Sequence, residues 1–134
     1  MIRVFTDGVF DCLHANHVQF LRDARSFGDR LMVGVLADDV VADYKRQPIM
    51  TERERLEVVS ALDMVDEAFI LRFDGAPGFD ADFLDRHRID CVVYAGSATP
   101  DWYVTAEERG IMRRIPYRDG ISTSDVIARI QKRG

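Results

Sequence analysis

Short apolar runs alternate along this chain with longer segments of helical period. Five runs are predicted as strands: Ile2–Thr6, Arg30–Ala37, Glu67–Leu71, Cys91–Ala95 and Arg113–Pro116. Each is short, bounded by turn-forming residues and mostly β-branched or aromatic. Between them, Ala15–Phe27 repeats apolar residues at Val18, Leu21, Ala24 and Phe27, with Gly28 as the expected stop. Thr51–Leu62 opens with Thr51-Glu52-Arg53-Glu54, the pattern of a capping box. Phe79–His87 and Ser122–Gln131 are the remaining predicted helices. Strand–helix alternation over the whole length predicts an α/β fold, a doubly wound, parallel, five-stranded sheet with helices on both faces. Residues 1–134 are expected to form one domain, because Asp74–Gly78 reads as a loop with too little chain after it for a second core.

Composition changes this picture little, but it narrows the function. A chain of 134 residues, 47% hydrophobic, can bury a core without disulfides or metals. Its 18 basic and 23 acidic residues give a net charge of −5, which argues against a nucleic-acid partner. No apolar run is long enough to span a bilayer, and Met1–Phe5 reads as strand and not as a signal peptide. Cys12 and Cys91 are far apart and lack metal-type spacing. A cytoplasmic setting without a membrane partner is therefore expected. Only Lys45 and Lys132 are lysines, the other basic residues being arginine, so Lys45 stands out inside the chain.

Parallel sheets of this kind bind ligands beyond the carboxyl ends of their strands. The loop after the first strand, Thr6-Asp7-Gly8-Val9-Phe10-Asp11-Cys12-Leu13-His14-Ala15-Asn16-His17, runs straight into a helix. Glycine there lets backbone approach a ligand closely, and free amides at a helix start favour anions. His14 and His17 are spaced to share a helical face. They fit hydrogen bonding to phosphate oxygens, with a protonated imidazole offsetting developing charge. The same residues equally fit a cap for the helix. A metal site on Cys12, His14 and His17 lacks a fourth ligand, since His87 falls in a different helix.

Two further segments carry chemistry. Lys45-Arg46-Gln47-Pro48 precedes a helix that alternates Glu and Arg, a pattern equally at home on a solvated face. Gly120-Ile121-Ser122-Thr123-Ser124-Asp125 opens the last helix. Ser122 and Asp125 form a capping box, and the same amides and hydroxyls at the positive helix end suit a phosphate.

The string Asp7-Gly8-Val9-Phe10-Asp11…His14-x-x-His17 resembles the signature of the cytidylyltransferase family of nucleotidyltransferases, and most closely the branch acting on phosphorylated amino alcohols. Gly120-Ile121-Ser122-Thr123-Ser124 resembles the family's second signature, in the right order and separation. The resemblance spans essentially the whole chain. It implies a Rossmann-like sheet and transfer of CMP from CTP to a small phosphate or phosphonate acceptor, with magnesium carried on the phosphates and no dedicated protein cage. A relative using ATP, or a non-catalytic nucleotide sensor, stays open beside it, and a homodimer is expected.

By the same resemblance, His14, His17, Lys45 and Arg118 are the expected catalytic residues. Asp7, Gly8, Val9, Phe10, Gly96, Gly120, Ile121, Ser122 and Thr123 join His14, His17 and Arg118 in nucleotide binding, while Asp11, Lys45 and Arg55 face the acceptor. Trp102 and Tyr103 are candidates for a cage around a cationic acceptor, and also for core or interface residues. Three places depart from the family pattern. Asn16 replaces a glycine that lets the nucleotide approach, so its side chain would have to tilt aside or bond the ligand. The signature arginine falls on Tyr117, leaving Arg118 one position late, with Arg113 or Arg114 as substitutes. The fourth strand ends in Ala95-Gly96-Ser97-Ala98-Thr99-Pro100, without the family's acidic residues.

Overall fold

Val4 and Phe5, neighbours in one strand, are both fully buried and belong to two different apolar clusters. Alternating side chains on a strand point to opposite faces, so this strand has a core on each side. It is β1, Arg3–Gly8, the centre of an all-parallel sheet with β2 (Arg30–Leu36), β3 (Glu67–Leu71), β4 (Cys91–Ala95) and β5 (Met112–Ile115). The order is β3-β2-β1-β4-β5. A computed structural model provides this description for residues 1–42, 46–73, 79–96 and 101–134. Lys45, the Asp74–Gly78 loop and residues 97–100 lie outside the described residues.

The helices are α1 (Ala15–Arg25), α2 (Asp38–Ala42), α3 (Glu52–Ser60), α4 (Ala81–Arg86), α5 (Val104–Glu108) and α6 (Thr123–Arg133). Leu21 and Ala24 of α1 and Val59 of α3 pack with Val4, Leu31, Val33 and Val93. Leu84 of α4 and Ala106 of α5 join Phe5, Met32 and Val92 on the opposite face. The sheet is thus doubly wound, α/β and Rossmann-like, as the alternation predicted. Its β2 is buried from Leu31 to Leu36, the near-continuous apolar run of a strand covered on both faces.

The differences from the predicted boundaries have local causes. Gly28 does not stop α1. The helix ends at Arg25, and Ser26 caps it by donating its amide to the Arg22 and Asp23 carbonyls. Gly28 instead permits a close approach, since a Cβ there would meet Val4 Cγ2 at 2.6 Å and the Ile2 carbonyl at 2.7 Å. Helices α2 and α5, with five residues each, are too short to show a helical period. The first strand runs on to Gly8, so Asp7 and Gly8 form its carboxyl end.

That end is where the sheet opens. Strand β1 pairs with β2 from Arg3 to Gly8 but with β4 only at Val4 and Phe5. At the next position the buried Thr6 hydroxyl donates to the Val93 carbonyl at 2.8 Å and takes over from the ladder. From β1 the chain builds β2 and β3 on one side, then returns to build β4 and β5 on the other. The crevice at this reversal is the usual ligand position in such sheets.

Candidate functional site

Two adjoining pockets occupy the crevice and share His17, Phe20, Arg46, Ala95, Thr123 and Ser124 in their walls. The smaller, about 290 Å³, adds His14, Asn16, Tyr117, Arg118, Ile121 and Ser122. The larger, about 690 Å³, adds the carboxyl end of β1 and the loop after it, Asp7 to Asp11, with Tyr94, Trp102 and Tyr103 opposite, so Asp7, Gly8, Val9 and Phe10, expected at the nucleotide, stand in this pocket and not in the smaller one.

The histidines hold each other at the start of α1. His14 is its N-cap, and its Nδ1 accepts the Asn16 amide at 3.2 Å. His17 Nδ1 accepts the His14 amide at 3.2 Å, and the two rings stack with centroids 3.8 Å apart. The capping alternative is therefore real, but it does not compete with ligand binding. Accepting a backbone amide through Nδ1 leaves the proton of a neutral imidazole on Nε2. The Nε2 of His14 is buried and has no hydrogen-bond partner among the described residues. A buried donor of this kind is costly unless something bonds it.

Burial and, less strongly, the neighbouring His14 lower the His17 pKa to about 4, with Asp11 opposing them. Burial also lowers that of His14, against Asp125. Both shifts favour the neutral ring in the free protein.

Backbone in this loop is strained. Phe10 and Cys12 have φ of 55° and 47°, a left-handed conformation uncommon for such side chains and concentrated at functional loops. The loop is braced from below. Both oxygens of the buried Asp11 carboxylate accept amides, from Ile49 at 2.8 Å and Met50 at 2.9 Å. Arg55 is wholly buried. Its Nη1 donates to the Val9 and Leu36 carbonyls at 2.8 Å each, its Nε to the Met50 carbonyl at 3.1 Å, and its Nη2 to Asp38 at 2.6 Å. This corrects the expectation that Arg55 meets the acceptor, because its fork is spent on backbone carbonyls and the Asp38 carboxylate and lines neither pocket. Asp11 lies in the wall of the larger pocket, yet its carboxylate is committed to the 49–50 backbone.

At the other end of the chain, Ser122 and Asp125 form the expected capping box on α6. The Ser122 and Asp125 amides are consumed by it. The Thr123 hydroxyl donates to the Asp11 carbonyl at 3.0 Å, tying the start of α6 to the first loop. Strand β5 ends at Ile115, so Tyr117 and Arg118 have left the sheet, and both line the smaller pocket. Arg113 and Arg114, the alternatives, lie outside the walls of both pockets. Arg113 donates to the Gly110 and Met112 carbonyls, and Arg114 pairs with Glu107 at 2.9 Å. Gly96 and Gly120, with φ of 93° and 122°, turn the chain beside the crevice without forming its wall.

Arg46 escaped the sequence, as did the junction of the cage candidates Trp102 and Tyr103 with Asp7 and Tyr94. Arg46 lines both pockets and donates to Ser124 Oγ at 3.1 Å. Its only signal was its place next to Lys45 in an acidic chain. In the larger pocket the Tyr103 hydroxyl donates to Asp7 Oδ1, and Tyr94 packs on Tyr103 at 4.9 Å. Burial pushes the Tyr94 pKa up, and the Asp7 carboxylate adds to the effect. An acid ringed by aromatic side chains results, assembled from three distant segments.

The parallel doubly wound sheet, with its crevice open at the carboxyl end of β1, defines an α/β domain of the Rossmann-like class. The chain belongs to the cytidylyltransferase-like family, whose family model matches residues 5–129. It is 34% identical over 136 residues to ethanolamine-phosphate cytidylyltransferase of Mus musculus, covering 97% of this chain and 33% of that protein. It is 35% identical over 137 residues to choline-phosphate cytidylyltransferase A of Homo sapiens, covering 96% of this chain and 36% of that protein. The chain thus spans about a third of the length of these curated relatives. Among solved structures, the lipopolysaccharide core biosynthesis protein from Thermoplasma volcanium GSS1 superposes with a TM-score of 0.69 at 28% identity, covering 91% of this chain and 99% of that one.

Proposed function

We propose that this protein is a cytidylyltransferase that transfers CMP from CTP to a small phosphorylated amino alcohol and releases pyrophosphate. The observation that carries the reading is the division of the crevice into two adjoining pockets with opposite chemistry. The smaller offers donors, from His14, His17, Arg118 and the start of α6, and suits a triphosphate. The larger offers the Asp7 carboxylate beside Tyr94, Trp102 and Tyr103, which suits a cationic amine. His17, Arg46 and Thr123 stand in both walls, where an acceptor phosphate and an α-phosphate would meet. The names of the ethanolamine-phosphate and choline-phosphate relatives point to the same acceptor class.

An acceptor phosphate oxygen attacks the α-phosphorus, the bond from that phosphorus to the bridging oxygen breaks, and pyrophosphate leaves. Such a transfer needs alignment and charge stabilisation more than covalent help. The Nε2 protons of His14 and His17 supply two neutral donors whose orientation the capping bonds have already fixed. Lys45, expected to grip the acceptor phosphate, belongs to the segment beside Arg46. Among the described residues no group of three or more His, Cys, Asp or Glu stands together as a metal site. Magnesium would be carried on the CTP phosphates.

Pyrophosphate release from CTP and ATP, each with phosphoethanolamine, phosphocholine, glycerol phosphate or a simple phosphonate, tests the reading. CTP with an amino-alcohol phosphate should be the preferred pair. Preference for glycerol phosphate would refute the role given to Asp7 and its aromatic neighbours. Tight CTP binding without turnover of any acceptor would make the protein a sensor.

A further inference from the structure

Two of the departures of this chain from its family's pattern are bonded to each other. The Asn16 amide nitrogen lies 3.0 Å from the Arg118 carbonyl, 3.3 Å from that of Asp119 and 2.8 Å from that of Ile121. Only the nitrogen end of the amide can face three carbonyl oxygens, so the orientation of the side chain is fixed by chemistry. Asn16 therefore neither tilts aside nor spends its donors on a ligand. It occupies the second position of α1, between the two histidines, and lines the smaller pocket.

Three carbonyl oxygens converging on one point repel unless a donor sits between them. The turn that brings them together contains Gly120 at φ 122°, and a Cβ on that glycine would lie 3.9 Å from the Asn16 nitrogen. Along an extended strand, moving an arginine by one position turns its side chain to the other face. The segment after Ile115 has left the strand, and the Asn16 clip fixes the carbonyl of Arg118 itself.

We propose that Asn16 is a positioning residue that compensates for the displaced arginine. By clipping the 118–121 turn to the histidine-bearing start of α1, it sets the direction in which Arg118 enters the smaller pocket. The two departures thus act as one unit. This rests on the smaller pocket being the nucleotide site.

The test is a double-mutant cycle of Asn16→Asp and Arg118→Ala, read by equilibrium binding of magnesium–CTP and by steady-state KM values. Asn16→Asp keeps the shape and removes the donors. It should weaken CTP binding about tenfold, the worth of a hydrogen bond or two, while leaving the acceptor KM unchanged. In the Arg118→Ala background the same change should cost less than about threefold, because the side chain it steers is gone. Asn16→Gly, which restores the family residue, should show the same coupling and covers the case in which the aspartate variant does not fold. Additive losses, or an unchanged CTP affinity in Asn16→Asp, would overturn the proposal. A wild-type protein that binds no CTP would instead overturn the functional reading on which it rests.

Discussion

Replacing Arg55 by methionine separates two roles that the sequence confounds. The substitution keeps most of the aliphatic stem and removes the guanidinium. In the folded protein that group donates to the carbonyls of Val9, Leu36 and Met50 and pairs with Asp38, all with no exposure of its own. Removing one partner from a buried charged cluster costs about 3–5 kcal/mol. The Asp38 side chain is 30% exposed and recovers some hydration, which places the expected loss near the lower end, about 3 kcal/mol. Against a typical total of about 5–15 kcal/mol the variant still folds. For a domain of this size the melting temperature should fall by roughly 10 °C. Because Val9 and Met50 anchor the two loops around the larger pocket, turnover should fall as well, with both KM values affected. Thermal and urea unfolding of wild type, Arg55→Met and Arg55→Lys give the magnitude, the lysine falling between the other two since it keeps charge without the fork. A variant melting within about 2 °C of wild type, with a raised acceptor KM alone, would refute the buried-strut account and return Arg55 to the substrate.

The remaining expectations concern the imidazoles, Arg118 and self-association. His17→Ala should lower turnover by at least ~10²-fold, the scale for a lost transition-state donor, and near-wild-type turnover would remove His17 from the mechanism. With its folded pKa near 4 against the ordinary 6.5, His17 in the unfolded chain takes up a proton first. Its contribution is complete above about pH 6.5 and is lost as the pH falls toward 4, by up to about 3 kcal/mol. An NMR titration placing its midpoint above 6 in the free protein would contradict the burial argument. Arg118→Ala should weaken CTP binding by about 1.5–3 kcal/mol while Tyr117→Phe changes little, and calorimetry showing the reverse would give the phosphate contact to Tyr117. Sedimentation should show a homodimer, the commonest oligomer for small domains, and a monomer at micromolar concentration would end that expectation.

Local sequence determined the five strands and the longer helices of this protein, though not the five-residue helices α2 and α5. Strand Cys91–Ala95 and the capping boxes at Thr51 and Ser122 could be read from the residues themselves, because β-branched runs and caps act within a few positions. The alternation of strand and helix also determined the parallel, doubly wound sheet, since parallel neighbours need crossover connections. His14 and His17 could be singled out for the same local reason: both follow the first strand at helical spacing. Tertiary structure alone decided what the long-range partners do. Whether Arg55 faces a ligand or the backbone depends on Val9, Leu36 and Asp38, which reach it only when β1 and β2 are paired. The acidic and aromatic wall of the larger pocket joins Asp7 to Tyr103 across 96 positions of chain. Asn16 meets the 118–121 turn across a similar span, and its local neighbours carry no sign of it. Propensity and capping act along the chain, whereas a side chain's bonding partners are set by which strands lie side by side.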